Sequence, residues 1–191
     1  MGRPRNFEAD TVVERAMETF WTNGYANTSP AQLAEATGLG KGSLYNAFGS
    51  KRELFDRALE HYDRQGGELI TAVLSQPGST RDRLRAWLRF VVDTDLAQAH
   101  RRGCLVANTA LELAGHDAVA ARAVDASQQR MISALTARID QGRRDGDVRN
   151  EIDARGYAEF VQNTVVGLRI TAKTADAATL YRIIDTALNT L

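Results

Sequence analysis

An all-α fold is predicted by three features of this 191-residue sequence. Alanine, leucine and arginine are abundant and only three prolines occur, which favours helix over strand. Apolar residues recur at three- and four-residue spacing in most segments, and strand-like alternation persists nowhere. Because 43% of the residues are hydrophobic, the chain can bury a substantial core.

The predicted helices divide into an N-terminal head and a larger body. The head, residues 1–51, is expected to hold three helices, and the body, residues 52–191, is expected to hold six, the first of which is the fourth helix that joins it to the head. In the head we expect helices over 11–23, 29–37 and 41–48. Beyond it, the fourth helix follows the capping box Ser50 to Glu53 and reaches a break near 76–79. Later helices are expected over 83–99, 104–113, 117–143, 157–173 and 176–191.

A helix-turn-helix is predicted at about residues 29–48. Ser29 can cap a helix, Pro30 occupies its first position, and Gln32 completes a capping box. Glycines at 38 and 40 then make a tight link to the short helix Lys41–Phe48. Leu44 and Phe48 lie four apart and should anchor that helix to Leu33, Phe20 and Phe55, so its other face points outward.

The outward residues of this short helix suit contact with DNA. Lys41 fits phosphate or guanine, Asn46 fits adenine or phosphate, and Gly42 lets the backbone approach closely. Free N–H groups at a helix start favour phosphate. The predicted DNA-binding residues are therefore Thr28, Ser29, Lys41, Gly42, Ser43, Tyr45, Asn46 and Lys51. A small helical hairpin without DNA affinity is the alternative interpretation.

Overall charge gives no support to DNA binding. The chain has 24 basic and 24 acidic residues. Residues 1–52 carry six basic and five acidic residues. The prediction therefore depends on where charge is placed, not on how much there is.

At this point the sequence resembles a known family. The runs Phe20 to Tyr25, Thr28-Ser29, Ala36 to Lys51 and Leu54-Phe55 look like the N-terminal domain of TetR-family transcriptional regulators, over roughly residues 5–65. Asn46-Ala47 and Gly49 depart from the commonest pattern, which leaves open the bases that are read.

The resemblance implies several properties of the whole chain. Such proteins are homodimers, usually repressors, that bind an inverted-repeat operator and leave it when the body binds a small molecule. An activator is the alternative. The resemblance places the dimer interface on helices 117–143 and 153–173, where small residues would allow close approach: Ala158, Gly167 and Ala172.

The residues that would line an effector site lie in the body. Asn108 and Glu112 are four apart on an otherwise apolar helix, and buried polar groups need partners, either within the protein or in a ligand. The candidates are Trp87, Phe90, Val91, Cys104, Asn108, Leu111, Glu112, Tyr157, Phe160 and Thr164. For the apolar ones the alternative is ordinary core.

Cys104 is the single cysteine of the chain. It follows two arginines and begins a predicted helix, and both features favour a reactive thiolate. Its context, Gly103-Cys104-Leu105, also resembles a subset of these regulators that sense electrophiles or oxidants. Besides the sensing of an electrophile, Cys104 has two alternative interpretations: it makes the protein a thiol-based redox sensor, or it is a small buried side chain without a sensing role.

Other classes of function find little support. No stretch reaches the roughly 20 apolar residues of a membrane span, and no apolar run follows the N-terminal Met1 to Arg5, so we expect a cytoplasmic protein. There is no nucleophile elbow, phosphate loop or dinucleotide fingerprint, so an enzyme is not expected, nor a cofactor. His100 and Cys104 are four apart, too weak a pattern to predict a metal site. The expected partners are operator DNA, a second copy of the chain and an unknown small-molecule effector, with no membrane.

Overall fold

The computed structural model describes residues 4–191, with side chains from residue 9 onward. The side chains of Arg3 and Arg5, which belong to the predicted head, lie outside the described part. Within that part the chain is helical and has no strand, as predicted. The helices are α1 (Pro4–Asn23), α2 (Pro30–Thr37), α3 (Lys41–Phe48), α4 (Lys51–Leu74), α5 (Thr80–Leu96), α6 (Leu105–Thr109), α7 (Ala118–Asp145), α8 (Ala154–Thr171) and α9 (Ala177–Leu188).

Local signals place both ends of α2 in the head. The Ser29 side chain accepts from Gln32 N, and the Gln32 side chain accepts from Ser29 N, which completes the predicted capping box. Gly38, with φ +73°, ends α2 in the left-handed region that glycine adopts without strain. The helix predicted over 11–23 begins instead at Pro4. Proline is tolerated at this first position, because its missing N–H would have no partner within the helix there.

One segment departs from α-helical geometry. The helix predicted over 104–113 is α-helical only from Leu105 to Thr109, and Ala110–Ala114 continues it as a π-helical segment. Such wide turns are rare in proteins, and those that occur often lie at functional sites. This segment contains Leu111 and Glu112, two of the candidate effector-site residues.

Two clusters of buried residues hold the fold together. One lies in the body between α4, α5, α7, α8 and α9. The other combines the head with α6, the π-helical segment and the start of α7, and it includes Phe20, Leu33, Leu44, Phe48 and Phe55 as the sequence predicts. The head is therefore packed directly against the body, and α4 belongs to both clusters.

No helix of the described part is long and apolar enough to cross a membrane.

Candidate functional site

The outer face of α3 carries the predicted DNA-binding side chains. Lys41, Ser43 and Asn46 are exposed, while Leu44 and Phe48 are buried in the core of the head. Gly42 is exposed, and a Cβ placed there would meet no atom within 4 Å. The helix thus presents a short polar face with open space above its backbone, which suits insertion into a major groove.

The remaining predicted contacts surround this helix. The Thr28 hydroxyl is buried and donates to Gly24 O at 2.6 Å, so it stabilises the turn before α2. Ser29 is the N-cap of α2. Lys51 begins α4, with its ammonium 4.5 Å from the centre of the Tyr25 ring and 3.5 Å from Ala26 O. Tyr45 is half-buried on α3.

A cavity of about 370 Å³ lies in the body beneath the head. Its lining is mainly apolar, and Leu69, Leu111 and Ile170 are both exposed and part of its wall, which places them at its mouth. Two of its wall residues are the tryptophans Trp21, at the end of α1, and Trp87, on α5. The head therefore contributes directly to the wall of the cavity.

The structure brings only some of the predicted effector-site residues to this cavity. Trp87, Phe90, Cys104 and Leu111 line it. The others lie elsewhere. Val91 is core, Asn108 donates to Arg102 O at 3.0 Å, Tyr157 donates to Ala187 O at 2.8 Å, and the Thr164 hydroxyl donates to Phe160 O at 2.9 Å. Phe160 is exposed, and burial raises the pKa of the Tyr157 hydroxyl.

Glu112 points away from the cavity, towards the head. Its carboxylate accepts from Tyr25 N at 2.9 Å and from Ala26 N at 2.5 Å. Glu112 is partly buried, and of the two interpretations of this polar position the structure shows the partner within the protein.

Several wall residues were not predicted from the sequence, among them Tyr62, Met131, Gln162 and Arg169. Arg169 donates to Asp95 Oδ1 and to Gly103 O, each at 3.1 Å. An arginine within the apolar segment 157–173 was a usable signal for this site. Burial raises the pKa of Tyr62, and the adjacent Cys104 raises it further.

Two ion pairs lie near the junction of head and body, and one of them, between Arg102 and Glu18, joins the two. Arg52, in the first turn of α4, contacts the carboxylate of Asp117, the N-cap of α7. This arginine holds the pKa of Asp117 well below its ordinary range. Arg102 contacts Glu18 of α1, and its guanidinium lies 4.0 Å from the centre of the Trp21 ring. The Trp21 indole N–H also donates to Gly103 O at 3.0 Å.

Among the described residues, no three His, Cys, Asp or Glu side chains lie together in an arrangement that could hold a metal ion.

The predicted dimer helices present different surfaces. Ala158 and Ala172 are buried in the core of their own chain, so the prediction that they allow a second copy to approach is wrong. Gly167 is exposed, and a Cβ there would meet no atom within 4 Å. Exposed large apolar residues lie on α8 and α9, namely Phe160, Ile170 and Ile183, whereas α7 exposes only Val119.

This architecture defines a helix-turn-helix DNA-binding protein with a helical body. Residues 12–58 match the family model for bacterial regulatory proteins of the tetR family, and residues 78–188 match the model for the tetracyclin repressor-like C-terminal domain. The chain belongs to the TetR family of transcriptional regulators.

Relatives and solved structures agree with this assignment. The uncharacterized HTH-type transcriptional regulator YezE of Bacillus subtilis is 29% identical over 196 residues, with all of both chains covered. The HTH-type transcriptional repressor ComR of Escherichia coli is 27% identical, with all of this chain and 90% of ComR covered. A cysteine-substituted variant of the TetR-family regulator CifR, solved with a 26-bp operator DNA, is 35% identical with a TM-score of 0.86, and 98% of each chain is covered. NemR of E. coli, at 19% identity and a TM-score of 0.82, shares the fold, with 96% of this chain and 94% of NemR covered.

Proposed function

We propose that the chain is a homodimeric repressor that binds an inverted-repeat operator through α3 and leaves it when the cavity is occupied. Residues 1–51 form the DNA-binding part and residues 52–191 the sensing and dimerisation part. The observation that carries the proposal is the exposed polar face of α3 beside Ser29 and Lys51, in a family in which CifR has been solved on operator DNA. Because its partner is bacterial DNA, the protein acts in the cytoplasm.

Selection of bound sequences from random duplex DNA tests this proposal. Two copies of α3 about 34–36 Å apart would read successive major grooves, so we expect an enriched inverted repeat. Recovery of no common sequence would contradict the proposal.

Lys41→Ala is expected to weaken operator binding without unfolding the protein. A dimer loses the contact twice, and at about 1 kcal/mol each the affinity should fall about 30-fold. The dependence of binding on salt should also become shallower, because fewer counterions are released.

Fluorescence anisotropy on the selected operator, at several salt concentrations, measures both effects. Lys173→Ala is the matched control, because Lys173 is also an exposed lysine but follows α8 in the body. If Lys41→Ala binds the operator with wild-type affinity, Lys41 does not contact DNA and the assignment of α3 as the DNA-binding helix is wrong.

The proposed dimer interface is the exposed face of α8 and α9. One stripe of exposed or half-exposed residues runs along α8 at alternating intervals of four and three: Gly156, Phe160, Asn163, Gly167 and Ile170. Gly167 leaves room for a second helix, and Ile183 of α9 adds apolar surface. The outer face of α7, in contrast, is mostly polar.

Phe160→Asp is therefore expected to shift the protein from dimer to monomer, because a carboxylate would be buried in the interface without a partner. Sedimentation velocity would detect the change. Val119→Asp, on the exposed part of α7, is the matched control and should stay dimeric. If Val119→Asp is monomeric and Phe160→Asp stays dimeric, the interface lies on α7, as the sequence predicted, and not on the exposed face of α8 and α9.

Two alternatives remain open, one about the chemical nature of the signal and one about whether the protein represses or activates transcription. Cys104 lies half-buried on the cavity wall beside Tyr62 and Arg169, which favours an electrophile or oxidant that reacts with its thiol. The protein would then be a thiol-based sensor. An activator is the other alternative, and reporter expression with and without the protein decides between it and a repressor.

Cys104→Ser tests the thiol-based alternative. If the signal is chemical modification of this thiol, a quinone or hypochlorite should release the wild type from its operator and leave the variant bound. Equal release of both proteins would exclude the thiol as the sensor and leave reversible binding in the cavity.

A further inference from the structure

The turn between α1 and α2 binds a carboxylate from the body. Gly24, with φ +82°, turns the chain so that the next two backbone N–H groups, of Tyr25 and Ala26, both point at Glu112. A Cβ at Gly24 would lie 3.1 Å from Glu112 Oε2, so the carboxylate lies close against the turn. Successive backbone N–H groups of this kind form an anion-binding concavity. Here the anion is a side chain 86 residues away.

The other end of this contact lies at the cavity. Glu112 is in the π-helical segment Ala110–Ala114, and its neighbours Ala110 and Leu111 line the cavity. Leu111 is 80% exposed at the mouth, so few packing contacts hold it in place. A molecule that enters the cavity and displaces the backbone at Leu111 would also displace Glu112, the next residue.

The turn in its own right supports the proposed DNA-binding residues. Lys51 contacts both Tyr25 and Ala26, and Thr28 closes the turn by its bond to Gly24 O. The next residue, Ser29, caps α2. A change in the turn would thus move Lys51 and the start of α2 together.

We propose that Glu112 is the positioning residue that couples the cavity to the DNA-binding head. Its carboxylate holds the α1–α2 turn in the DNA-competent arrangement, and an occupant of the cavity withdraws it through Leu111. The inference rests on the proposed function, because it presumes that the head binds an operator. Of the two ion pairs near this junction, Arg102 contacts Glu18 of α1 and Asp117 contacts Arg52 of α4, so neither involves the α1–α2 turn.

Alkylation of Cys104 provides an occupant whose position is known. Cys104 is the only cysteine and lies on the cavity wall, so N-ethylmaleimide places one group there. Operator affinity is measured before and after alkylation for the wild type, Glu112→Ala, Glu112→Gln and the control Glu18→Gln. Glu18→Gln weakens a different contact between head and body, and the Glu112→Gln side chain keeps one acceptor oxygen.

The wild type and Glu18→Gln should lose operator affinity on alkylation by a factor in the usual range for coupled sites, about 5- to 150-fold. Glu112→Ala should bind the operator weakly before alkylation, and alkylation should change its affinity by less than about twofold. Glu112→Gln should fall between them, and it carries the same test if the alanine variant does not fold.

Hydrogen exchange supplies a readout that a purely structural role would not change. The amides of Tyr25 and Ala26 should exchange slowly in the wild type and faster after alkylation, because they then lose their acceptor. In Glu112→Ala they should exchange fast in both states. Peptides from the middle of α7 serve as the internal reference.

The outcomes separate the two proposals. If unmodified wild type binds no operator, the proposed function is wrong. If it binds and alkylation weakens the wild type and Glu112→Ala by the same factor, only the Glu112 inference is overturned. The inference is also overturned if alkylation changes neither the operator affinity of the wild type nor the exchange of its Tyr25 and Ala26 amides, or only one of the two. The proposed DNA binding would still hold in that case.

Discussion

Arg169→Met should lower the free energy of unfolding by about 3–5 kcal/mol at pH 7, the usual cost of removing one partner of a buried ion pair. Arg169 donates to Asp95, which is 1% exposed and whose second carboxylate oxygen has no hydrogen-bond partner. Without the guanidinium the Asp95 carboxylate would be buried opposite a thioether, which cannot compensate its charge.

The loss should depend on pH. Burial already raises the pKa of Asp95, and Arg169 is the largest of the influences that oppose this. Arg102 and Lys173 oppose it less. In the variant the folded-state pKa rises further above the unfolded value of about 3.9, so the folded state binds the extra proton. The destabilisation should therefore be smallest below that value and grow as the pH rises through the folded-state pKa.

Urea unfolding at several pH values measures this dependence. The double variant Asp95→Leu with Arg169→Met is the control. It leaves no uncompensated charge, so most of the stability should return and the pH dependence should disappear. A single variant as stable as the wild type at pH 7 would show that Arg169 does not compensate Asp95.

Phe55→Ala is expected to cost about 3–5 kcal/mol through lost burial and the cavity left behind. The Phe55 ring is 1% exposed and lies 5.1 Å from the Phe20 ring, edge to face, and 4.8 Å from Tyr25, centre to centre. It thus joins α4 to α1 and to the turn that precedes α2. Operator binding should weaken as well, because α1 and the turn before α2 lose the ring that they pack against.

Circular dichroism during urea unfolding measures the loss. Phe55→Leu is the control, because it keeps most of the apolar volume and should cost much less. Equal losses in the two variants would mean that the aromatic contacts, and not the filled volume, dominate at this position.

Local signals explain what the sequence could predict. The capping box at Ser29 and Gln32, the left-handed Gly38 and the four-residue spacing of Leu44 and Phe48 each depend on neighbours in the chain, and the structure contains all of them. The helix ends and the buried positions of the helix-turn-helix could therefore be predicted from the sequence. The same holds for the break after α4, where Pro77 and Gly78 interrupt the helix.

The effector site was less predictable because its contacts join distant parts of the chain. Glu112 bonds to the backbone of residues 86 and 87 positions away, and no spacing rule shows a backbone partner at that distance. Trp21 belongs to the head by sequence, yet it forms part of the cavity wall. The helical periodicity of 157–173 separates buried from exposed positions, but it does not say that Ala158 and Ala172 face their own core.

The placement of the two tryptophans gives the protein an optical reporter of its own state. The chain contains only Trp21 and Trp87, and both stand on the wall of the same cavity. Its entire indole emission therefore comes from the place where an effector would bind, and one of the two fluorophores is carried by the helix that also begins the DNA-binding head. A compound library could be screened by emission wavelength and quenching alone, with unlabelled protein and before any target gene is known.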